Sequence, residues 1–137
     1  MTFVIIQLPP GNYLTTLVAV AQQLSLSFSN AVLVGDAVFS LSAMNSGQFF
    51  WADAKTGKTL WTSSPRQAGN AAIVRSGDLL LVLKDDAELL VAKSTPGGFE
   101  PLKTYTVANS ATWPAPSVSG NRIFVKDIST VALWTVN

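Results

Sequence analysis

Cysteine and histidine are both absent from the 137-residue sequence. Without cysteine the chain has no disulfide framework and no thiolate to serve as a nucleophile or metal ligand. Without histidine it lacks the commonest general base and metal ligand at neutral pH. Serine is plentiful, but no histidine can activate it and no Gly-x-Ser-x-Gly elbow occurs. We therefore expect no enzyme and no cofactor.

Charged residues are scarce as well. They make up 12% of the chain, against 48% hydrophobic residues, which is about half the charged share of an average domain. This composition excludes a disordered chain and indicates a large buried fraction or an unusually apolar surface. The net charge of +1 gives no basic surface for a nucleic acid.

The stretch before Asp36 carries no Asp, Glu, Lys or Arg. Pro9-Pro10-Gly11-Asn12 and Gln22-Gln23 nevertheless interrupt it, and no apolar run approaches the roughly 20 residues of a spanning helix. A secretory signal would begin with Lys or Arg ahead of a clean apolar core, and neither is present. We expect neither a membrane span nor a signal peptide in this sequence.

Three stretches share the pattern of an apolar strand, a small turn and a second apolar strand. Their turn glycines, Gly35, Gly77 and Gly120, lie 42 and 43 residues apart. Gly-Asp or Gly-Asn between two β-rich runs is a strong hairpin signal. A period of about 40–45 residues with several strands per unit is typical of a β-propeller blade.

The remaining apolar runs fit the same repeat. We predict an all-β chain that forms a single partial β-propeller over residues 1–137, with about three consecutive antiparallel blades, ideally four-stranded. The predicted blades span residues 30–64, 70–108 and 115–136, and the last of them lacks its fourth strand. Short polar linkers join them.

The N-terminal residues match the repeat after a shift of 86 positions, which is two periods. Pro10-Gly11 then falls on Pro96-Gly97, and Tyr13 falls on Phe99. Residues 1–21 are therefore predicted to form the last two strands of a preceding blade. A helix over residues 13–26 is the alternative, because that segment has fair helix propensity.

Residues 47–61 form the most distinctive stretch, in which a polar turn separates two apolar runs that each carry tryptophan. Within it, Asp53, Thr56, Gly57 and Trp61 resemble the Asp-x-x-Thr-Gly-x-x-x-Trp core of the PQQ-like β-propeller repeat. The turn around Gly35 is similar to the turn that precedes this core in the family. The second and last blades lack the Thr-Gly pair and the tryptophan. The resemblance implies a structural role, in which the tryptophan packs between blades and the Thr-Gly turn fixes the outer hairpin.

The same resemblance suggests what the chain does. A propeller ring needs at least four blades, so the chain resembles the C-terminal portion of a longer, bacterial propeller, and such propellers are mostly exported to the periplasm. Open blade edges recruit strands. We expect a non-catalytic binding or scaffold module for protein partners, or self-association. Non-catalytic relatives of this type include an outer-membrane-protein assembly lipoprotein.

Two alternatives remain. The chain resembles in its repeat a quinoprotein dehydrogenase that depends on PQQ and calcium, and it could be a C-terminal fragment of one. It has no adjacent cysteine pair and no recognisable set of acidic calcium ligands, both of which many such enzymes use. The other alternative is a small β protein that closes a ring from two or three copies.

Three further groups of residues are candidates for chemistry. Lys84-Asp85-Asp86 and Lys126-Asp127 occupy equivalent turns, and we interpret them as polar turns because the ligand spacing for calcium is missing even with Glu88 added. Asp53, Lys55 and Lys58 lack the context of a phosphate loop. The four tryptophans offer a stacking platform in principle, but we expect packing between blades for most of them. They are Trp51, Trp61, Trp113 and Trp134, of which Trp113, next to Pro114 in a loop, is expected to be the most exposed.

Overall fold

The computed structural model describes residue 26 and residues 28–136. The predictions for residues 1–21 lie outside this part of the chain, as does the alternative helix apart from Leu26. The described residues form three antiparallel sheets. The first sheet contains β1 (Val32–Val34), β2 (Ala37–Ser42), β3 (Gln48–Asp53) and β4 (Thr59–Thr62). The second contains β5 (Ala71–Ser76), β6 (Leu79–Lys84), β7 (Glu88–Lys93) and β8 (Pro101–Thr106), and the third contains β9 (Ser117–Ser119), β10 (Arg122–Lys126) and β11 (Val131–Thr135).

We call these sheets the first, second and third blades. Within each blade the strands lie side by side in chain order, and consecutive strands pair with each other. A short 3-10 segment, Met44–Ser46, joins β2 to β3. The predicted fold class is confirmed, because the chain folds as consecutive antiparallel blades of an incomplete β-propeller.

The tight turns between the first two strands of each blade depend on glycine. Gly35, Gly77 and Gly120 all have a φ of 58°, a left-handed conformation that favours glycine. No atom lies within 4 Å of the place where a Cβ would stand at any of the three. The backbone conformation, rather than crowding, therefore accounts for the glycines.

The burial of the strands reflects how the blades stack. In β10, Ile123 and Val125 are buried, whereas the alternating residues Arg122, Phe124 and Lys126 are exposed. In β6 every residue after Leu79 is buried. Among the described residues, the second blade is covered on both faces, whereas the third blade is covered on one face only.

Two apolar clusters form the contacts between blades. One joins Phe39 and Trp51 of the first blade to Ile73 and Leu80 of the second. The other joins Leu81 and Leu89 of the second blade to Ile123 and Val125 of the third. Because side chains alternate along a strand, consecutive residues of β6 contribute to opposite interfaces. Within the described part of the chain, no helix has the length and apolar character needed to cross a bilayer.

Candidate functional site

The predicted repeat motif is a hydrogen-bonded turn between β3 and β4. The Asp53 carboxylate accepts hydrogen bonds from the Thr56 hydroxyl, at 2.8 Å, and from the backbone N–H groups of Thr56 and Lys55, at 2.7 and 2.9 Å. Gly57, with a φ of 72°, donates its N–H to the Asp53 carbonyl at 2.9 Å. These bonds hold the pKa of Asp53 below its usual value, the Thr56 hydroxyl contributing most. The Asp53 carboxylate is thus used within the turn itself, although Lys55, Thr56 and Lys58 are exposed.

The structure brings Asp53, Thr56 and Gly57 together but places the other motif residues elsewhere. Trp61 lies on β4, directly opposite Trp51 of β3, and packs half-buried against the first interface cluster. The three turn glycines lie one in each blade, at equivalent corners.

A second turn of the same construction joins β10 to β11. Asp127 accepts hydrogen bonds from the backbone N–H and hydroxyl of Thr130, at 2.7 and 2.8 Å, and from the N–H of Ser129 at 3.0 Å. These bonds, led by the backbone N–H of Thr130, lower the pKa of Asp127 well below its usual range. Both turns have an Asp-x-x-Thr spacing in the sequence, but their equivalence was not predicted. Asp127 therefore serves the turn, and Lys126 caps it by donating to the Asp127 carbonyl.

The acidic residues around Lys84 are also engaged locally. The Lys84 ammonium lies 2.8 Å from the Asp86 carboxylate and 2.7 Å from that of Glu88. Burial alone would lower the pKa of Lys84, but these two partners outweigh it and raise the pKa. Asp85 accepts a hydrogen bond from the N–H of Gly69 at 3.2 Å. Within the described residues no group of three or more acidic side chains is placed to hold a metal ion.

The tryptophans occupy different surroundings. Trp51 is 0% exposed and donates its indole N–H to the Gly98 carbonyl at 2.7 Å. Trp113 is exposed in the linker between the second and third blades and meets Phe28 edge to face, with ring centroids 5.8 Å apart. Trp134 is 44% exposed and donates its indole N–H to the Val107 carbonyl at 3.0 Å. A stacking platform would need several exposed rings side by side, and this arrangement does not provide one.

The third blade presents the most open surface of the described chain. We define the forward face of a blade as the side turned toward the next blade. Phe39 and Trp51 are paired across the forward face of the first blade, and Leu81 and Val91 across that of the second. In the third blade the corresponding pair is Phe124 and Leu133. Phe124, Leu133 and neighbouring Val131 are exposed, because no described residue packs over this face.

The outer edge of the third blade is open in the same way. β4 and β8 pair with β3 and β7 and complete the first two blades, whereas β11 is the last strand of a three-stranded sheet. Beside this edge, between the second and third blades, lies a cleft of about 510 Å³. The open edge at Thr130 to Thr135 was predicted from the sequence, because the last blade lacks a fourth strand. The cleft was not predicted, since it depends on how the blades stack.

Comparisons with known proteins agree with a propeller fold. No family model matches the sequence, and no curated protein matches it. BamB from Moraxella catarrhalis superposes with a TM-score of 0.58 at 19% identity, over 78% of this chain and 31% of the BamB chain. The computationally designed Ika4 protein superposes with a TM-score of 0.58 at 19% identity, over 81% of this chain and 66% of Ika4. The chain thus spans about a third of the BamB chain and shares with it the β-propeller fold.

Proposed function

We propose that the chain is part of a non-catalytic propeller of the PQQ-like type, which binds protein partners or further copies of itself. The third blade, with its open edge and exposed forward face, is the observation that carries this proposal. A strand at the end of a sheet presents unpaired N–H and C=O groups that a partner strand can use. Exposed apolar side chains beside such an edge add area that a partner would bury.

In this proposal the three blades are the C-terminal portion of a longer propeller. Residues 1–21 supply the last two strands of a preceding blade, and the blades extend over residues 30–64, 70–108 and 115–136. A closed ring typically has four to eight blades, and the described chain contains three. The motif residues Asp53, Thr56, Gly57 and Trp61, together with the three turn glycines, then maintain the blades and take no part in chemistry.

Self-association gives a direct test, because it needs no knowledge of a foreign partner. Sedimentation velocity on the chain over a hundredfold range of concentration should show reversible association. Leu133→Lys places a charge on the forward face of the third blade and should weaken association at least tenfold. Leu102→Lys is the matched control, because Leu102 is 53% exposed and Leu133 is 54% exposed. Equal behaviour of the two variants would contradict a role for the third blade.

The non-catalytic part of the proposal has its own test. The purified chain is incubated with PQQ, calcium, an alcohol or sugar substrate and a dye acceptor. We expect no turnover above that of the free quinone. Turnover that depends on the protein would support the quinoprotein dehydrogenase alternative instead.

A further inference from the structure

The cleft between the second and third blades has a counterpart at the first interface, where an aromatic ring fills the space. There the ring of Phe99 packs against Phe39 and Phe49, with both ring-centroid distances at 5.0 Å. In the second blade the same register positions belong to Leu81 and Leu89, and both leucines line the cleft. Two stacked blades therefore leave room at this position for an aromatic ring.

The walls of the cleft suit a flat apolar molecule. Its volume of about 510 Å³ falls within the range of about 300–1,000 Å³ that is usual for small-molecule sites. Leu81 and Val91 of the second blade line it on one side, and Ile123 and Trp134 of the third blade line it on the other. The Trp134 indole is held by its hydrogen bond to the Val107 carbonyl and is 44% exposed. A planar ring that enters the cleft therefore buries apolar surface and meets an aromatic side chain whose position is fixed.

The polar groups of the cleft define the ligand further. All of the side chains that line it are uncharged, so a charged ligand would lose hydration without gaining an ion pair. Tyr105 and Asn121 bring a hydroxyl and an amide group to the lining. Asn121 donates its amide N–H to the Val136 carbonyl at 3.3 Å, and its amide oxygen can accept a hydrogen bond from a ligand. An uncharged ring with one N–H or O–H group matches this lining.

We propose that the cleft binds a small, uncharged aromatic molecule of about the size of indole, with one N–H or O–H group. This site goes beyond the protein-binding role proposed for the third blade. Trp134 and Leu133 are neighbours on β11, and their side chains lie on opposite faces of the sheet. The ligand therefore packs between the second and third blades, whereas a protein partner would cover the forward face of the third blade.

Fluorine NMR on the full chain tests the chemical class of the ligand, with 5-fluoroindole as the probe. We expect saturable broadening of the probe signal, which an excess of indole reverses. Indole-3-acetate has the same ring with a carboxylate added, and it should compete about tenfold more weakly because the lining offers the charge no partner. Broadening that does not saturate, or equal competition by indole and indole-3-acetate, would overturn the inference.

A pair of tryptophan substitutions tests the location of the site. Val136 lines the cleft and Ile128 does not, and both side chains are exposed, at 56% and 73%. Val136→Trp places a large ring where the ligand binds and should weaken binding of 5-fluoroindole by about tenfold or more, which corresponds to about 1.4 kcal/mol. Ile128→Trp is the matched control and should bind the probe as the unmodified chain does. Equal affinities of the two variants would show that the probe binds outside the cleft.

Removing the ring of Phe99 tests the equivalence of the two interfaces, on which the inference depends. Phe99→Ala should open a second site of the same kind against Phe39 and Phe49, because apolar cavities of this type accept aromatic molecules. The variant should then bind two molecules of 5-fluoroindole, whereas the control Leu102→Ala should bind one. A single bound molecule in both variants would contradict the equivalence and overturn the inference.

The cleft site and the proposed protein-binding surface can fail separately. Sedimentation velocity in the absence of the probe measures self-association, and the fluorine titration measures ligand binding. Saturable binding to a chain that remains monomeric would support the cleft site and count against self-association through the third blade. Reversible association without binding of the probe would support the proposed function and overturn the cleft site.

Discussion

The two interfaces between blades share one register but are filled differently. The first interface stacks the rings of Phe39, Phe49, Trp51 and Phe99, with centroid separations of 4.9 to 5.6 Å. The second is built from aliphatic residues, chiefly Leu81, Leu83 and Leu89 against Ile123 and Val125. Its tryptophan, Trp134, remains 44% exposed.

The difference shows where the closure of an interface comes from. The second and third strands of a blade are enough to position the side chains that face the next blade. The register of β2 with β3 in the first blade is repeated by β6 with β7 in the second. In the second blade, the loop ahead of the fourth strand then adds Phe99, whose ring fills the remaining space at the first interface. The third blade, with three strands among the described residues, therefore leaves both a strand edge and a cleft.

The tryptophans of the two interfaces, Trp51 and Trp134, should show the largest contrast. Trp51→Ala removes a fully buried ring and its hydrogen bond to Gly98, so we expect a loss of about 3–5 kcal/mol in the free energy of unfolding. Trp134→Ala should cost about 1–2 kcal/mol, because much of that ring already meets solvent. Urea titration followed by far-UV circular dichroism measures both values. If Trp51→Ala does not fold, Trp51→Phe gives a smaller loss in the same direction, and equal costs at the two sites would remove the contrast.

Deleting the Phe99 ring should make the first interface resemble the second. We expect Phe99→Ala to lower the free energy of unfolding by about 2–3 kcal/mol, because the ring is partly buried and stacks on two others. Leu102→Ala is the control, because this residue of β8 is exposed and its loss should stay within about 0.5 kcal/mol. Urea titrations of the two variants side by side give the comparison. A cost at Phe99 no larger than at Leu102 would mean that the loop merely covers the interface.

Local features of the fold could be predicted from the sequence, because they depend on few neighbouring residues. The spacing of the turn glycines and the alternation of apolar residues were enough to predict consecutive antiparallel blades, and the structure confirms that fold class. The turn at Asp127 could also have been found, because its Asp-x-x-Thr spacing repeats that of Asp53. It was not predicted, because the motif at Asp53 was defined by its Thr-Gly pair, which is absent there.

Contacts between blades could not be predicted in the same way. The role of Phe99 depends on the packing of two blades that are distant in sequence, and its position in a loop gives no sign of burial. The two hydrogen bonds between the Asn30 side chain and the Ile73 backbone, which we call the Asn30 clamp, are similar, since the two residues lie 43 positions apart. The cleft likewise results from the stacking of complete sheets. Periodicity locates strands, but it does not show which side chains cross from one blade to the next.

Removing the Asn30 clamp should have a moderate effect on the first interface. The Asn30 side chain donates to the Ile73 carbonyl at 2.8 Å and accepts from the Ile73 N–H at 2.7 Å. Because Ile73 is buried, Asn30→Ala leaves two backbone groups without partners, and we expect a loss of about 1–3 kcal/mol in the free energy of unfolding. Asn109→Ala, at an exposed linker position, should change stability by less than about 0.5 kcal/mol. Similar values for both asparagines in a urea titration would show that water replaces the clamp.

The two Asp-x-x-Thr turns should give the smallest effects, seen only in acid. Hydrogen bonds from Thr56 and Thr130 lower the pKa of Asp53 and Asp127 in the folded chain. Each turn therefore stabilises the fold fully above the unfolded pKa of about 3.9, and that contribution is lost as the pH falls toward the folded values.

Asp127→Asn should flatten the decline of stability between pH 5 and pH 2, chosen to bracket that value of about 3.9. Asp53→Asn should flatten it less, because the pKa of Asp127 is lowered further. Urea midpoints measured across this range, beside Asp78→Asn as an exposed control, check the order. If Asp78→Asn flattens the pH dependence of stability as much as Asp127→Asn does, the overall charge of the protein and not the turn governs the loss of stability in acid. In that case the turn that precedes β11 would owe its shape to the backbone alone, and the first and third blades would respond to acid alike.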